Sequence, residues 1–421
     1  MTEPHVIVVG AGFAGLSAVA ELRKAPVRVT IIDKNLYSGF QPLLYQVATG
    51  GLNPGDIAYP VGGSAVHRKA KYIRGDLAAI DTDARTVKLA DGRSLGYDYL
   101  IIATGMSANY FGVPGAEAYT FGLYTRADAL VLRDHIMSGF EQLSADDDRQ
   151  FAITVVGGGA TGVELAGTLG ELSSDVLRAT FPNVDPCRVH VRLIEMAPAL
   201  LMPFDEKLRE YTRKQLVKRG VDVRLNTKIR SVKHNGVVLD GDGLLRSDVT
   251  VWAAGVAAPA AVARWGLPQG RGGRVLVGPD LRVQDSARIF AVGDIALNPD
   301  DPAPQLAQPA LQQGRHAAAQ IGALVRGSDT SSFRYKDKGT MATIGRRSAV
   351  VQIPRGPRIT GTIAWLAWLA LHLFYLLGTR NRVSTLINLS WRYIAWGHGG
   401  GVIVGDEPSE PLPSKVASDA A

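Results

Sequence analysis

An apolar run, Val6-Ile-Val-Val9, leads straight into Gly10-Ala11-Gly12-Phe13-Ala14-Gly15 and then into the Ala/Leu-rich Leu16-Ser-Ala-Val-Ala20. Four apolar residues in a row read as a strand buried on both faces, which belongs to a parallel sheet. The glycine spacing then assigns three jobs: Gly10 for the tight turn, Gly12 for close approach of a pyrophosphate, and Gly15 for helix-on-strand packing. A helix starting there would offer unpaired N–H groups and the positive end of its dipole to the phosphates. A second strand, Val27-Arg-Val-Thr-Ile-Ile32, ends in Asp33, close to the ~20-residue spacing at which an acid meets an adenosine ribose. A lone glycine pattern also occurs in purely structural turns. Strand, glycines, helix, strand and acid in this order point instead to a dinucleotide.

The pattern occurs twice. Phe151-Ala-Ile-Thr-Val-Val156 is a strand, Gly157-Gly158-Gly159-Ala160-Thr161-Gly162 repeats the glycine spacing, and Val163-Glu164-Leu165 opens the following helix. Val189-His-Val-Arg-Leu-Ile194 ends in Glu195, and a turn over Asn183 to Cys187 absorbs the longer spacing. Later stretches also match, with Leu100-Ile-Ile-Ala103-Thr104-Gly105 answered by Val249-Thr-Val-Trp-Ala-Ala254-Gly255. The fold expected is α/β, with two Rossmann-like dinucleotide-binding domains and a C-terminal helical segment that associates with a membrane. The boundaries follow from turns and composition: residues 1–117 and 257–330 form the first module, and 118–256 form the second. A C-terminal region spans 331–405, and residues 406–421, rich in Pro, Ser, Asp and Ala, read as a disordered tail.

Between the glycine motifs lies Lys34-Asn-Leu-Tyr-Ser-Gly-Phe40-Gln-Pro-Leu-Leu-Tyr45-Gln46. This stretch suits either the lining of a flat aromatic ligand or a packed connection. Arg288-Ile-Phe-Ala-Val-Gly293-Asp294 is a strand ending in an acid. On general grounds such an acid more often caps a helix than contacts a ligand.

The single cysteine, Cys187, excludes an intramolecular disulfide, a Cys-x-x-Cys redox pair and a multi-cysteine metal site, and no metal is expected. Residues 1–4 lead directly into the first strand, so no signal peptide is expected. The formal charge of +7 is uneven, because Arg326 to Gly400 holds eleven Lys and Arg against two Asp. That basic excess implies an anionic partner, here a lipid surface and not a nucleic acid. Within it, Gly361 to Leu377 is apolar almost all round, yet as a helix it would reach only about 25 Å, short of the ~30 Å hydrocarbon core. Val383, Leu386, Ile387, Trp391 and Ile394 then form one helical stripe, with Arg382, Ser384, Asn388 and Arg392 between them and Trp396 beyond. The favoured reading is a helical hairpin lying in one leaflet, and the alternative is a pair of core or dimer-interface helices. A chain ending near Arg358 is then expected to stay soluble and keep its first dinucleotide.

These motifs, with Ala291-Val-Gly293-Asp294 and Ala307-Gln308-Pro-Ala310-Leu-Gln312-Gln313-Gly314, resemble in kind and order those of type II NADH:quinone oxidoreductases, over about residues 5 to 396. The resemblance implies FAD in the first module and NADH in the second. FAD contacts would come from Gly10, Gly12, Phe13, Ala14, Gly15, Asp33, Lys34, Gln46, Ala103, Thr104, Gly105, Gly293, Asp294 and Ala310, with Asp294 on the ribityl chain. NADH contacts would come from Gly157, Gly159, Thr161, Gly162, Glu164, Glu195, Ala254 and Gly255. Glu171, Gln308, Gln312 and Lys338 would serve the reacting end, and the bland alternative for Glu171 is a solvated helix carboxylate. The implied reaction is hydride transfer from NADH to FAD and then two electrons to a membrane quinone, menaquinone or ubiquinone, without proton pumping. The implied setting is peripheral, on the cytoplasmic face of the cell membrane, and the oligomeric state stays open with a homodimer allowed. Rival readings are a soluble NAD(P)H-dependent flavoprotein reductase of another acceptor and a non-enzymatic flavin-based membrane redox sensor.

Overall fold

In the computed structural model, residues 3–177, 181–241 and 243–394 are described; Trp396 and the expected tail at 406–421 lie outside them. The elements that position the site are, in chain order, β1 (His5–Val9), α1 (Phe13–Leu22), β2 (Arg28–Asp33), β3 (Lys71–Arg74), β4 (Tyr99–Ile102), α2 (Arg126–Ala145), β5 (Phe151–Val156) and α3 (Ala160–Glu171). Then follow β6 (Val189–Ile194), α4 (Glu206–Lys218), β7 (Val221–Arg224), β8 (Val249–Trp252), β9 (Ile289–Ala291), α5 (Ala307–Val325), β10 (Thr340–Gly345), β11 (Ser348–Gln352), α6 (Gly361–Tyr375) and α7 (Thr379–Ile394).

The chain divides into two compact units. The first comprises Met1–Gly39, Tyr59–Ser107 and Val256–Lys338. Its five-stranded sheet has the order β9-β4-β1-β2-β3 and is parallel throughout. Val6, Ile7, Val8 and Leu100 to Ile102 are completely buried, as expected of strands covered on both faces. Strand order reverses beside β1, so the β1–α1 turn opens at the point where ligands of such sheets bind. Helix α5 packs across α1: the Ser17 hydroxyl donates to the Leu311 carbonyl at 2.8 Å. Contact is so close that a Cβ on Gly314 would lie 2.1 Å from the Ala14 oxygen.

The second unit comprises Phe40–Ala58, Ala108–Gly255 and Gly339–Ala421. Its parallel sheet repeats the same side-by-side order, Phe121–Gly122, β8, β5, β6 and β7, except that its edge strand Phe121–Gly122 comes first in the chain where β9 comes last. Helix α2 starts with a capping box at Thr125 and Asp128 and packs Phe140 edge-on against Phe151 of β5. On α3, Gly167 lets the β10 backbone ride directly on the helix, since a Cβ there would sit 2.0 Å from the Ile344 carbonyl oxygen.

Several placements depart from the sequence reading: residues 108–117 cluster with the second unit, 331–338 with the first, and the described residues from Gly339 onward with the second instead of forming a region of their own. Phe40–Ala58, counted with the first module by chain order, clusters with the second unit. There Tyr45 meets Trp368 edge-on, and the Arg126 guanidinium donates to the Pro54 carbonyl. Helix α6, read as an appendage, is half core. Ala364 and Trp365 pack against Ala349 and Val351 of β11, and Trp368 is 1% exposed. Removing everything after Arg358 would therefore strip apolar cover from β11. The other side of α6 shows Ile363, Leu366 and Phe374 to solvent. No described helix is long and apolar enough to cross a membrane.

Candidate active site

The two glycine turns are built alike, and each position has the role its spacing requires. Gly10 and Gly157 sit at φ +105° and +112°, and a Cβ on either would strike the carbonyl oxygen of Ala103 or Ala253. Gly15 and Gly162 press α1 and α3 onto the carbonyls of Gly10 and Gly157. Gly12 and Gly159 differ: a Cβ on either would meet nothing within 4 Å. These two are the N-caps of α1 and α3, and neither helix has a side-chain cap. An uncapped helix N-terminus facing open space beside backbone is the cradle a pyrophosphate requires.

The acids after the second strands hold these turns. Asp33 accepts the Ala11 N–H at 2.6 Å and the Asn35 N–H at 2.7 Å. Glu195 accepts the Gly158 N–H and, at 2.6 Å, the Ala197 N–H. Each carboxylate braces the second residue of its glycine loop and keeps lone pairs for a ribose hydroxyl. Burial raises the pKa of Asp33, partly offset by these backbone donors.

Further groups in the first unit fit a ligand. The Thr104 hydroxyl is buried without a hydrogen-bond partner among the described residues, beside Gly105 at φ +68°. Asp294 lies inside a short 3-10 turn, Gly293–Ile295, whose N-cap is Val292, so it is not the helix cap that general frequencies favour. Burial raises its pKa, and the Arg274 guanidinium pulls it back. The Arg274 Nε donates to the Asp294 carbonyl oxygen, not to the carboxylate. The Gly293 N–H is taken by the Gln313 side chain at 2.7 Å, a positioning contact sequence reasoning did not single out. Helix α5 begins without a side-chain cap next to Gln308, and Ala310 is buried in its first turn. Gln312 is spent on the backbone of Lys336, donating to its carbonyl and accepting its N–H, both at 3.0 Å. Lys34 and Lys338 are exposed. Gln46, in the second unit, is buried and donates to the Tyr45 hydroxyl.

In the second unit, Glu164 and Glu171 separate sharply. Glu164, on α3, is 8% exposed, and its carboxyl accepts the Thr343 N–H at 3.2 Å. Burial pushes its pKa up to about 8, against the opposing pull of that N–H and of the Trp368 side chain. Burial therefore favours the protonated carboxyl. The Trp368 indole N–H is buried and has no partner at hydrogen-bond geometry among the described residues. His372, one turn further along α6, stacks on Trp368 at 3.9 Å and donates its Nδ1–H to the Trp368 carbonyl at 2.7 Å. Burial depresses the His372 pKa to about 4, and Phe40 packs edge-on against the ring. A protonated carboxyl and a neutral imidazole thus flank one buried indole. Trp368 and His372 were not foreseen as site residues, although the lone histidine in the apolar 361–377 run was the available signal.

Glu171 is also buried, so it is not a solvated carboxylate. Its Oε1 receives the Arg219 Nε at 3.0 Å and the Arg346 N–H at 2.6 Å, and Arg219 also donates to the Arg346 carbonyl. This ion pair ties the end of α3 to the residue after α4 and to the β10–β11 turn. Gly255 is used internally, since a Cβ there would lie 2.7 Å from the Phe111 ring. Thr161 is exposed on the first turn of α3 and Ala254 half-buried. No described group of three His, Cys, Asp or Glu could hold a metal.

Two parallel sheets, each carrying a pyrophosphate cradle at its switch point, define a two-dinucleotide α/β protein. Residues 4–314 match the pyridine nucleotide-disulphide oxidoreductase family, whose redox disulfide this chain lacks, its one cysteine being exposed and free. The chain is 39% identical to the type II NADH:quinone oxidoreductase NdhA of Mycobacterium tuberculosis, over 93% of this chain and 86% of that protein. It is 32% identical to the type II NADH:quinone oxidoreductase of Staphylococcus haemolyticus, over 85% and 91%. The chain belongs to the type II NADH:quinone oxidoreductase family. In fold it is similar to NDH2 of Plasmodium falciparum, solved in complex with NADH, with TM-score 0.86 and 18% identity over 94% of this chain and 99% of that one. It is also similar to the sulfide:quinone oxidoreductase of Aquifex aeolicus, with TM-score 0.75 and 20% identity over 98% and 100%.

Proposed function

We propose that this protein oxidises NADH and reduces a membrane quinone without pumping protons, and that it works at the surface of one leaflet. The observation that carries this reading is the duplicated cradle: two open glycines, Gly12 and Gly159, at two uncapped helix N-termini. FAD, when bound, supplies the two-electron acceptor for the hydride of NADH and the donor for the quinone. The first unit would hold FAD through Gly10 to Gly15, Asp33, Thr104 and Asp294, and the second would hold NADH through Gly157 to Gly162 and Glu195. The N-terminal N–H groups of α5, around Gln308 and Ala310, place partial positive charge where electron density builds on reduction.

Quinone reduction needs protons as well as electrons. Glu164 is the group suited to supply one, because its pKa of about 8 keeps the proton on the carboxyl at neutral pH while leaving it transferable. Thr343 fixes the orientation of that carboxyl. Trp368 and His372 form a dry apolar wall beside it. Glu171, held by Arg219 and Arg346, serves as a strut that sets α3 against the β10–β11 turn and is not itself the proton donor.

The exposed apolar side chains of α6 and α7, with the basic excess around them, support a lipid-surface setting. Reconstitution with FAD and titration with NADH test the reading. Flavin absorbance should bleach with NADH and recover on adding quinone, and a protein that holds flavin but is not reduced by NADH would end it.

A further inference from the structure

Helix α7 is amphipathic in the opposite sense to a helix on a water-facing surface. Asn381 and Thr385 are 4% and 0% exposed, whereas Val383, Leu386, Ile387 and Trp391 are 51–64% exposed. At about 3.6 residues per turn these two sets fall on opposite faces. The inward face is mostly polar, with Leu389 also buried on it, and the outward face is mostly apolar, with Arg380 and Arg382 exposed beside the four apolar side chains.

A buried carboxylate holds this arrangement. Asp56 is 4% exposed. Its Oδ1 accepts the Ser384 hydroxyl at 2.7 Å, and its Oδ2 accepts the Asn388 side-chain N–H at 2.6 Å. One turn earlier the Asn381 amide donates to the Ala58 carbonyl at 2.9 Å. No ion-pair partner of Asp56 occurs among the described residues, so hydrogen bonds from α7 are what offset the cost of burying its charge. In water, a half-turn roll of α7 would be favoured by covering four apolar side chains. The same roll would take both donors away from Asp56 and leave a bare buried carboxylate.

We propose that Asp56 is a positioning residue that locks the roll of α7, so that Val383, Leu386, Ile387 and Trp391 face outward as a lipid-contacting stripe. The lipid half of this statement rests on the leaflet reading above; the lock itself does not. The test uses the FAD-loaded full chain with Cys187→Ser and a spin-labelled cysteine replacing Ile387, first in buffer and then with anionic phospholipid vesicles. With Asp56 present, the label should be open to a water-soluble relaxant in buffer and shielded from it on vesicles. Asp56→Ala, and separately Ser384→Ala with Asn388→Ala, should hide or immobilise the label in buffer and weaken vesicle binding about tenfold or more. Asp56→Asn, which keeps one carbonyl acceptor, should recover part of both. If both disrupting variants match the parent in buffer, the lock is refuted. If the parent never binds vesicles, the leaflet reading falls, and the buffer measurement alone still decides the lock. Should Asp56→Ala fail to retain FAD, the double variant on α7 decides it.

Discussion

Replacing Glu164 by Gln should change how stability depends on pH, in a way that only a buried, protonated carboxyl explains. In the folded chain the group titrates at about 8 against an ordinary value of 4.5, with burial the chief cause. Between those values the native state holds a proton that the unfolded state has lost. Raising the pH therefore costs about 1.4 kcal/mol of stability per unit across that window. The contribution is fully present below about pH 4.5 and is gone above about 8, for a total on the order of 5 kcal/mol. Gln is nearly isosteric, still accepts the Thr343 N–H and does not titrate, so the variant should lack this slope. For a unit of this size the difference amounts to on the order of 10 °C in the unfolding midpoint. Thermal unfolding of both FAD-loaded proteins from pH 5 to pH 9 measures it, as the change in the gap between their midpoints. At pH 5 the two should unfold together, and at pH 9 the variant should be the more stable. Midpoint curves that stay parallel across the range would show that Glu164 is ionised in the folded protein, and the proton-donor role would fall with it. The same variant should lose about a hundredfold in quinone turnover while NADH still reduces its flavin.

Gly12→Ala should fold, because its Cβ meets nothing, yet bind FAD at least about tenfold more weakly; Gly10→Ala should fail to fold, since its Cβ collides with the Ala103 carbonyl and the residue needs a positive φ. Flavin content and circular dichroism of the two variants separate ligand space from backbone need. Glu195→Gln should narrow the preference for NADH over NADPH by about tenfold in kcat/KM, and a parent enzyme that favours NADPH would refute the ribose assignment. Glu171→Gln should destabilise the second unit by about 3–5 kcal/mol, since Arg219 loses its buried counter-charge, with turnover per bound flavin nearly unchanged. A large loss of quinone turnover at unchanged stability would instead point to Glu171 as the proton donor.

Much of the protein is legible in its sequence because the decisive signals are local. The glycine spacing, the apolar runs of β1 and β5 and the terminal acids each act within a few tens of residues, and backbone sterics leave few other ways to satisfy them. The apolar length of 361–377 likewise bounds how far one helix can reach. Tertiary structure decided what depends on partners distant in the chain. Glu164 and Glu171 stand two turns apart on one helix and look alike in sequence. Among the described residues one meets Thr343 and Trp368, and burial raises its pKa, while the other meets Arg219 and is paired. The roll of α7 is the same kind of fact, since periodicity defines two faces but cannot say which is buried. A carboxylate more than three hundred residues earlier, Asp56, supplies the charge that turns the polar face inward, because an unmatched buried charge costs more than an apolar stripe left exposed.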